Sequence, residues 1–243
     1  MCGRYSLTTP VDAMAQLFGF AERPNLAPRW NIAPTQSVAA VRLGADGARH
    51  LDLLRWGLVP SWAKAIGTTP LINARADTIA EKPSFRGAFR KRRCLMPADG
   101  FYEWRETPLP KQPFRISLPD RPCFAIAGLW ERWESQGQTI ESCALITADA
   151  NPAIAHVHHR MPVILEPAQW NAWLDPATGV EILHGLLRPY VGAIAAQAID
   201  RRVNAIANDD AGCWAPAPAE APPAPEPKLT LRKAKDTGQG SLF

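Results

Sequence analysis

The sequence predicts an α+β fold, with a twisted, barrel-like and mainly antiparallel sheet flanked by short helices. Three observations predict it. Strand-like runs recur along most of the chain, and a few short helical segments interrupt them. The 243 residues, with a hydrophobic fraction of 47%, suit one sizeable core.

In chain order, the first expected element is a helix. Thr9 precedes Pro10, which suits the first helical position, and Val11, Met14, Leu17 and Phe18 then line one face until Gly19 stops it. Residues 38–43 and 49–58 read as strands joined by a turn that begins at Gly44 and ends at Gly47. Further strand-like runs fall at 94–97, 101–105, 113–118, 123–130 and 139–147. Short helices are expected at 84–92, 167–173 and 179–187. The body is expected to span residues 1–213, with no internal repeat. From Trp214 the chain reads WAPAPAEAPPAPEPKLTLRKAKDTGQGSLF, and the Pro/Ala-rich first half of that tail makes an extended spacer rather than a core.

The bulk numbers exclude several classes. No apolar run approaches the roughly 20 residues of a membrane span, and the start, MCGRYSLTTP, lacks the features of a signal peptide. The five cysteines (Cys2, Cys94, Cys123, Cys143, Cys213) form neither a C-x-x-C pair nor an even disulfide framework, which fits a reducing, cytoplasmic setting. A net charge of +4 and a pI near 8.9 permit a phosphate-bearing partner without demanding one.

Cys2 carries the first chemical signal. A small second residue favours removal of Met1, which leaves an α-amine and a thiol on adjacent carbons. Their ordinary pKa values, about 7.7–8.0 and 8.5, keep both usable near neutrality. An aldehyde meeting this pair forms a Schiff base with the amine, and the thiol closes on the same carbon to give a five-membered thiazolidine. Met-Cys-Gly also opens glutamine amidotransferases with an N-terminal nucleophile, where the thiolate attacks an amide. Those proteins usually continue with isoleucine, whereas Arg4 and Tyr5 follow here. The N-terminus by itself leaves both reactions open.

Four further segments narrow the choice: WNIAPTQ (30–36), RWGLVPSWAK (55–64), INARADTIAEKPSFRGAFRKRRCLMPADGFYEW (72–104) and HVHHRMPVIL (156–165). Together with MCGRY they resemble, in order and at compatible spacing, the SRAP family of abasic-site processing proteins. The resemblance covers essentially the whole body and implies a single SRAP-type domain. It implies that Cys2 is the nucleophile, that Asn73 orients Cys2 and the sugar, and that Glu103 shuttles a proton beside the α-amine. His158 then donates a proton to the sugar ring oxygen as the ring opens, work suited to a group that titrates near neutrality. His159 occupies a variable position. On a strand, Glu103 would point away from Tyr102 and Trp104, and buried it would need a partner, for which the positive end of the Cys2 backbone is suited. His156, His158 and His159 invite a metal, but strand neighbours point to opposite faces and no cysteine sits at ligand spacing, so neither metal nor cofactor is expected.

The family is similar in preferring single-stranded DNA, which calls for a cationic groove and flat side chains. Arg4, Arg75 and Arg160 are the phosphate candidates and Trp62 the stacking or wedging candidate. In RGAFRKRRC, Arg86, Arg90 and Arg93 would share one helical face with Phe85 and Phe89 elsewhere, either as a DNA contact or as a solvated charged face. Trp56 and Trp104 read as core. At the tail's end, Gln239, Leu242 and Phe243 resemble the Q-x-[SD]-L-F peptide that docks on bacterial sliding clamps. Monomer is the default state. Three functions are weighed: covalent capture of abasic sites with associated lyase chemistry, an N-terminal-nucleophile amidohydrolase or peptidase, and a DNA-binding module in which Cys2 is incidental.

Overall fold

A computed structural model describes residues 2–105, 111–135 and 137–218; Gln239, Leu242 and Phe243 lie outside the described residues. Strand β1 (Tyr5–Leu7) is followed by helix α1 (Val11–Phe18) and by β2 (Arg29–Ile32), β3 (Ser37–Leu43), β4 (Arg49–Trp56) and β5 (Asn73–Arg75). Helix α2 (Arg86–Lys91) leads into β6 (Arg93–Ala98), β7 (Gly100–Arg105), β8 (Gln112–Ser117), β9 (Phe124–Ser135) and β10 (Gln138–Asp149). Next come β11 (Arg160–Pro162), β12 (Ile164–Leu165), α3 (Trp170–Leu174), α4 (Val180–Leu186) and β13 (Ala195–Ala198), and then 3-10 turns at Arg201–Asn204 and Ala211–Trp214.

The expected barrel-like sheet is present. In the larger sheet, β10 pairs with β4, β4 with β3, β3 with β6, β6 with β9, and β9 returns to β10, so five strands close on themselves. Closure removes edges that would otherwise expose unpaired backbone groups. Among the strand pairs of the described residues, only β4–β10 and β5–β10 run parallel. The ring's interior is apolar because β6 and the first half of β9 are buried almost residue for residue. Gly128 lets β6 and β9 approach: a Cβ there would sit 2.8 Å from Cys94 Sγ and 3.1 Å from Met96 Cγ. The second sheet has the order β13-β8-β7-β1-β2. Asp99, where the chain crosses from β6 to β7, accepts hydrogen bonds from Ser6 and Thr8 and so pins β1 against the crossing.

Helix α1 differs from expectation in detail. Pro10 precedes the helix instead of opening it, and Gly19 ends it at φ 75° with its N–H on Ala15 O. The buried stripe runs through Met14, Ala15 and Phe18, with Phe18 stacked on Trp170 at 4.7 Å, which leaves Leu17 at the rim and 41% exposed. The strand at 49–58 stops at Trp56, where Gly57 takes φ 135°. Residues 167–169 form a 3-10 turn ahead of α3. Packing also continues past Cys213: Trp214 donates to Tyr102 Oη at 2.8 Å and lies 3.9 Å from the Arg115 guanidinium carbon.

Candidate active site

Four chain-distant segments meet where the two sheets adjoin. Cys2, just ahead of β1, is fully buried. Asn73 opens β5, which β10 fixes in parallel register with Asn73 opposite Leu145. Trp56 Nε1 donates to Ile72 O at 3.0 Å and holds the residue before it. Asn73 Nδ2 then donates to the Cys2 carbonyl at 2.8 Å. Its Oδ1 is buried without a hydrogen-bond partner among the described residues, so an acceptor faces the site with nothing yet to accept.

Glu103 comes from β7, the neighbour of β1. Alternation works as expected: Tyr102 and Trp104 pack into a small second core with Ile199, Val203 and Cys213, and Glu103 points the other way at 3% exposure. His158 stands in the turn before β11. Its Nδ1 lies 3.0 Å from the Arg160 N–H and 3.2 Å from the Arg160 carbonyl, and its Nε2 lies 4.0 Å from Glu103 Oε2. Residues 156–159 are therefore a turn rather than a strand, and His158 and His159 stack at 4.4 Å instead of pointing apart. Among the described residues, no group of three or more His, Cys, Asp or Glu side chains is arranged to hold a metal.

The electrostatics assign different work to each group. Burial, and then the Glu103 carboxylate, push the Cys2 thiol well above its ordinary range, so it is a protonated thiol at neutral pH. Burial raises Glu103 to about 7. A carboxyl poised there can both take and return a proton near neutrality. A cleft of about 650 Å³ opens over Glu103 and His158, lined also by Trp104, Arg105, Lys111 and His156. Among the described lining residues the only carboxylate is Glu103, and Arg105 and Lys111 bring positive charge.

The expected DNA contacts are placed unevenly. Trp62 is 65% exposed, with its Nε1 donating to the Pro83 carbonyl at 3.4 Å. Arg4 is half-buried, donating to Asn31 Oδ1 at 2.8 Å and Val203 O at 2.9 Å. Arg75 is exposed and paired with Asp77, whereas Arg160 is buried with its guanidinium on Asp149 and the Thr147 carbonyl. The single helical face of Arg86, Arg90 and Arg93 is not formed. Helix α2 ends at Lys91, and Arg93 begins β6 with its guanidinium on the carbonyls of Phe89, Trp173 and Asp175. Arg86 and Arg90 remain exposed. Trp56 is core, as expected, and Trp104 is half-buried.

Asn31 is a residue the sequence reading did not single out. It is fully buried, and its Nδ2 donates to the carbonyls of Val203, Ala205 and Asn208. Asp209 accepts from the N–H groups of Trp30 and Asn31, and Asn204 Oδ1 accepts from Trp104 Nε1 at 2.7 Å. This latch brings the 201–214 segment beside Arg4 and the cleft. The one available signal was a polar residue inside the otherwise apolar WNIAP segment.

A family model described as SOS response associated peptidase (SRAP) matches residues 1–206. The abasic site processing protein YoqW of Bacillus subtilis is 40% identical over 198 residues, covering 78% of this chain and 88% of YoqW. The abasic site processing protein YedK of Escherichia coli is 32% identical over 180 residues, covering 72% and 79%. A solved protein structure from Bacteroides thetaiotaomicron superposes with a TM-score of 0.76 at 28% identity, covering 82% of this chain and 93% of that one.

Proposed function

The chain belongs to the SRAP family, and from that premise we propose that it captures abasic sites in single-stranded DNA as a covalent thiazolidine on Cys2, after loss of Met1. The observation that carries the reading is the convergence of Cys2, Asn73, Glu103 and His158, with Asn73 bonded to the Cys2 carbonyl and Glu103 4.0 Å from His158.

In the proposed sequence, His158 Nε2 passes a proton to the sugar ring oxygen while the anomeric hydroxyl gives its own proton to water, which re-protonates His158, and the ring opens to the aldehyde. Ionised Glu103 takes a proton from the Cys2 ammonium, and the freed amine adds to the aldehyde carbon. Glu103 returns the proton to the carbinolamine hydroxyl, water leaves, and a Schiff base remains. The thiol adds to the same carbon while its proton passes to nitrogen, closing a ring of N, Cα, Cβ, Sγ and the sugar carbon. Because burial keeps the thiol protonated, the amine acts first. Asn73 Oδ1 is suited to accept from the amine or a sugar hydroxyl. β-Elimination from the Schiff base is the lyase branch, and reversal of ring closure releases the protein. The linkage shields the lesion from strand cleavage during replication-associated repair.

The peptidase in the family description supports a second reading of the same residue: the thiol attacks the Met1 carbonyl and water hydrolyses the thioester, freeing Met1. This is compatible with capture and would precede it. Arg4, Arg75, Arg160 and Trp62 are proposed to guide the strand. Among the described residues no helix is long and apolar enough to cross a membrane, and we place the protein in the cytoplasm beside replicating DNA as a monomer. Gln239, Leu242 and Phe243 are proposed to tether it to the sliding clamp, raising its local concentration there. A tail peptide is expected to bind the clamp and its Leu242→Ala, Phe243→Ala form to lose binding; equal binding by both would remove the tether from the account.

Capture is tested by incubating the full chain with single-stranded DNA carrying one abasic site and resolving it on a denaturing gel after heating. A heat-stable adduct is expected from the wild type and none from Cys2→Ala. An equal adduct from both would overturn the reading, as would glutamine hydrolysis without any adduct.

A further inference from the structure

Both arginines on the β10 edge already hold a carboxylate. Strands β5 and β11 both pair with the end of β10, with Arg75 opposite Thr147 and Arg160 opposite Asp149. Arg75 meets Asp77 through two bonds, Nε to Oδ1 at 3.1 Å and a terminal nitrogen to Oδ2 at 2.6 Å. This is the forked arrangement by which a guanidinium also takes a phosphate. Arg160 is oriented from within by the Thr147 carbonyl at 2.6 Å, and its other terminal nitrogen reaches Asp149 Oδ1 at 2.8 Å. The Arg160 side chain is 5% exposed and that of Asp149 85%, so the carboxylate lies between a buried cation and solvent. A hollow of about 220 Å³ lined by Asp77, Asp149, Arg160 and His184 lies at this edge.

We propose that Asp77 and Asp149 are built-in stand-ins for DNA phosphates, holding Arg75 and Arg160 until a strand displaces them and so keeping affinity for undamaged DNA low. The inference rests on the reading that these two arginines meet the strand. Exchange is like for like: a phosphate arriving as Asp149 swings away leaves Arg160 neutralised throughout, which avoids the cost of an unpaired buried cation. At Arg75, whose pair with Asp77 is about half exposed, displacement is also cheap, because solvent-exposed ion pairs contribute little. A displaced carboxylate regains its counterion, so each of these contacts adds little to the salt dependence that phosphate binding normally brings. The consequence is selectivity by chemistry: the protein passes over intact strands that offer only phosphates, and an aldehyde retains it through a bond.

The test uses the full chain and a fluorescein-labelled oligothymidine with no abasic site, followed by anisotropy across a salt series, so Cys2 chemistry does not enter. Asp77→Asn and Asp149→Asn are each expected to tighten binding about two- to fivefold and to steepen the log–log salt slope by up to about 0.7. Arg75→Ala is expected to weaken binding. Asp12→Asn, which removes a carboxylate on α1 that pairs with Arg23, is expected to change it little. Should Asp149→Asn fail to fold, Asp77→Asn still decides, because both partners of that pair are about half exposed. An equal gain from Asp12→Asn would reduce the effect to net charge and overturn the proposal. No gain from Asp77→Asn while Arg75→Ala weakens binding would reject the stand-ins but keep the arginine contact. No effect from either would remove the contact and the stand-ins together.

Discussion

Glu103→Gln is expected to slow adduct formation about 10²–10⁴-fold while making the folded protein more stable at pH 8. The two effects share one cause. Glu103 is 3% exposed, and burial raises its pKa from 4.5 to about 7. That difference corresponds to about 3 kcal/mol disfavouring the ionised form in the fold. The folded pKa lies above the unfolded one, so this contribution to stability is fully present below about 4.5 and is lost as pH rises through about 7. Glutamine does not ionise. The variant should therefore match the wild type in a urea melt near pH 4.5 and exceed it at pH 8, and capture by the wild type should rise through pH 7 with an inflection that the variant lacks. Undiminished capture by Glu103→Gln would take the proton shuttle away from Glu103.

Cys2→Ser is expected to abolish the heat-stable adduct without abolishing aldehyde chemistry. Serine keeps the α-amine, and with it the Schiff base, but not the sulfur that closes the durable ring. Borohydride should trap this variant on abasic DNA, and without borohydride the Schiff base should be diverted to β-elimination, giving a nicked strand. If Cys2→Ser left a heat-stable adduct like that of the wild type, ring closure through sulfur would be excluded.

Much of the ring was legible because its strands are long. The β3–β4 hairpin announces itself by apolar runs either side of Gly44 and Gly47, and β9 and β10 by extended apolar stretches. Strands β1, β2, β5, β11, β12 and β13 were not identified. Each has two to four residues, too few for a period of two to show, and each is defined by the partner it pairs with. Arg93 shows the same limit for charge. A run of basic residues reads as one exposed face, but the carbonyls around the end of α3 draw its last arginine inward, where it satisfies acceptors that the helix leaves free.

The site was legible through its motifs, because chemistry constrains residue type more tightly than packing does. Alternation along 101–105 was enough to separate Glu103 from Tyr102 and Trp104. What the motifs did not reveal was the state of each group. The protonated Cys2 thiol and the raised Glu103 carboxyl both arise from burial, and burial depends on β1 and β7 lying side by side. The bonds of Trp30 and Asn31 to the 201–214 segment join residues more than 170 positions apart, and no local pattern encodes that contact.

The central claim is that one residue supplies both the amine and the sulfur. It is tested most directly by digesting the adduct with trypsin and weighing the N-terminal peptide by mass spectrometry. The account predicts a peptide that begins at Cys2, ends at Arg4 and carries the deoxyribose remnant with the loss of one water. A remnant on a peptide that retains Met1, or on any other residue, would contradict it.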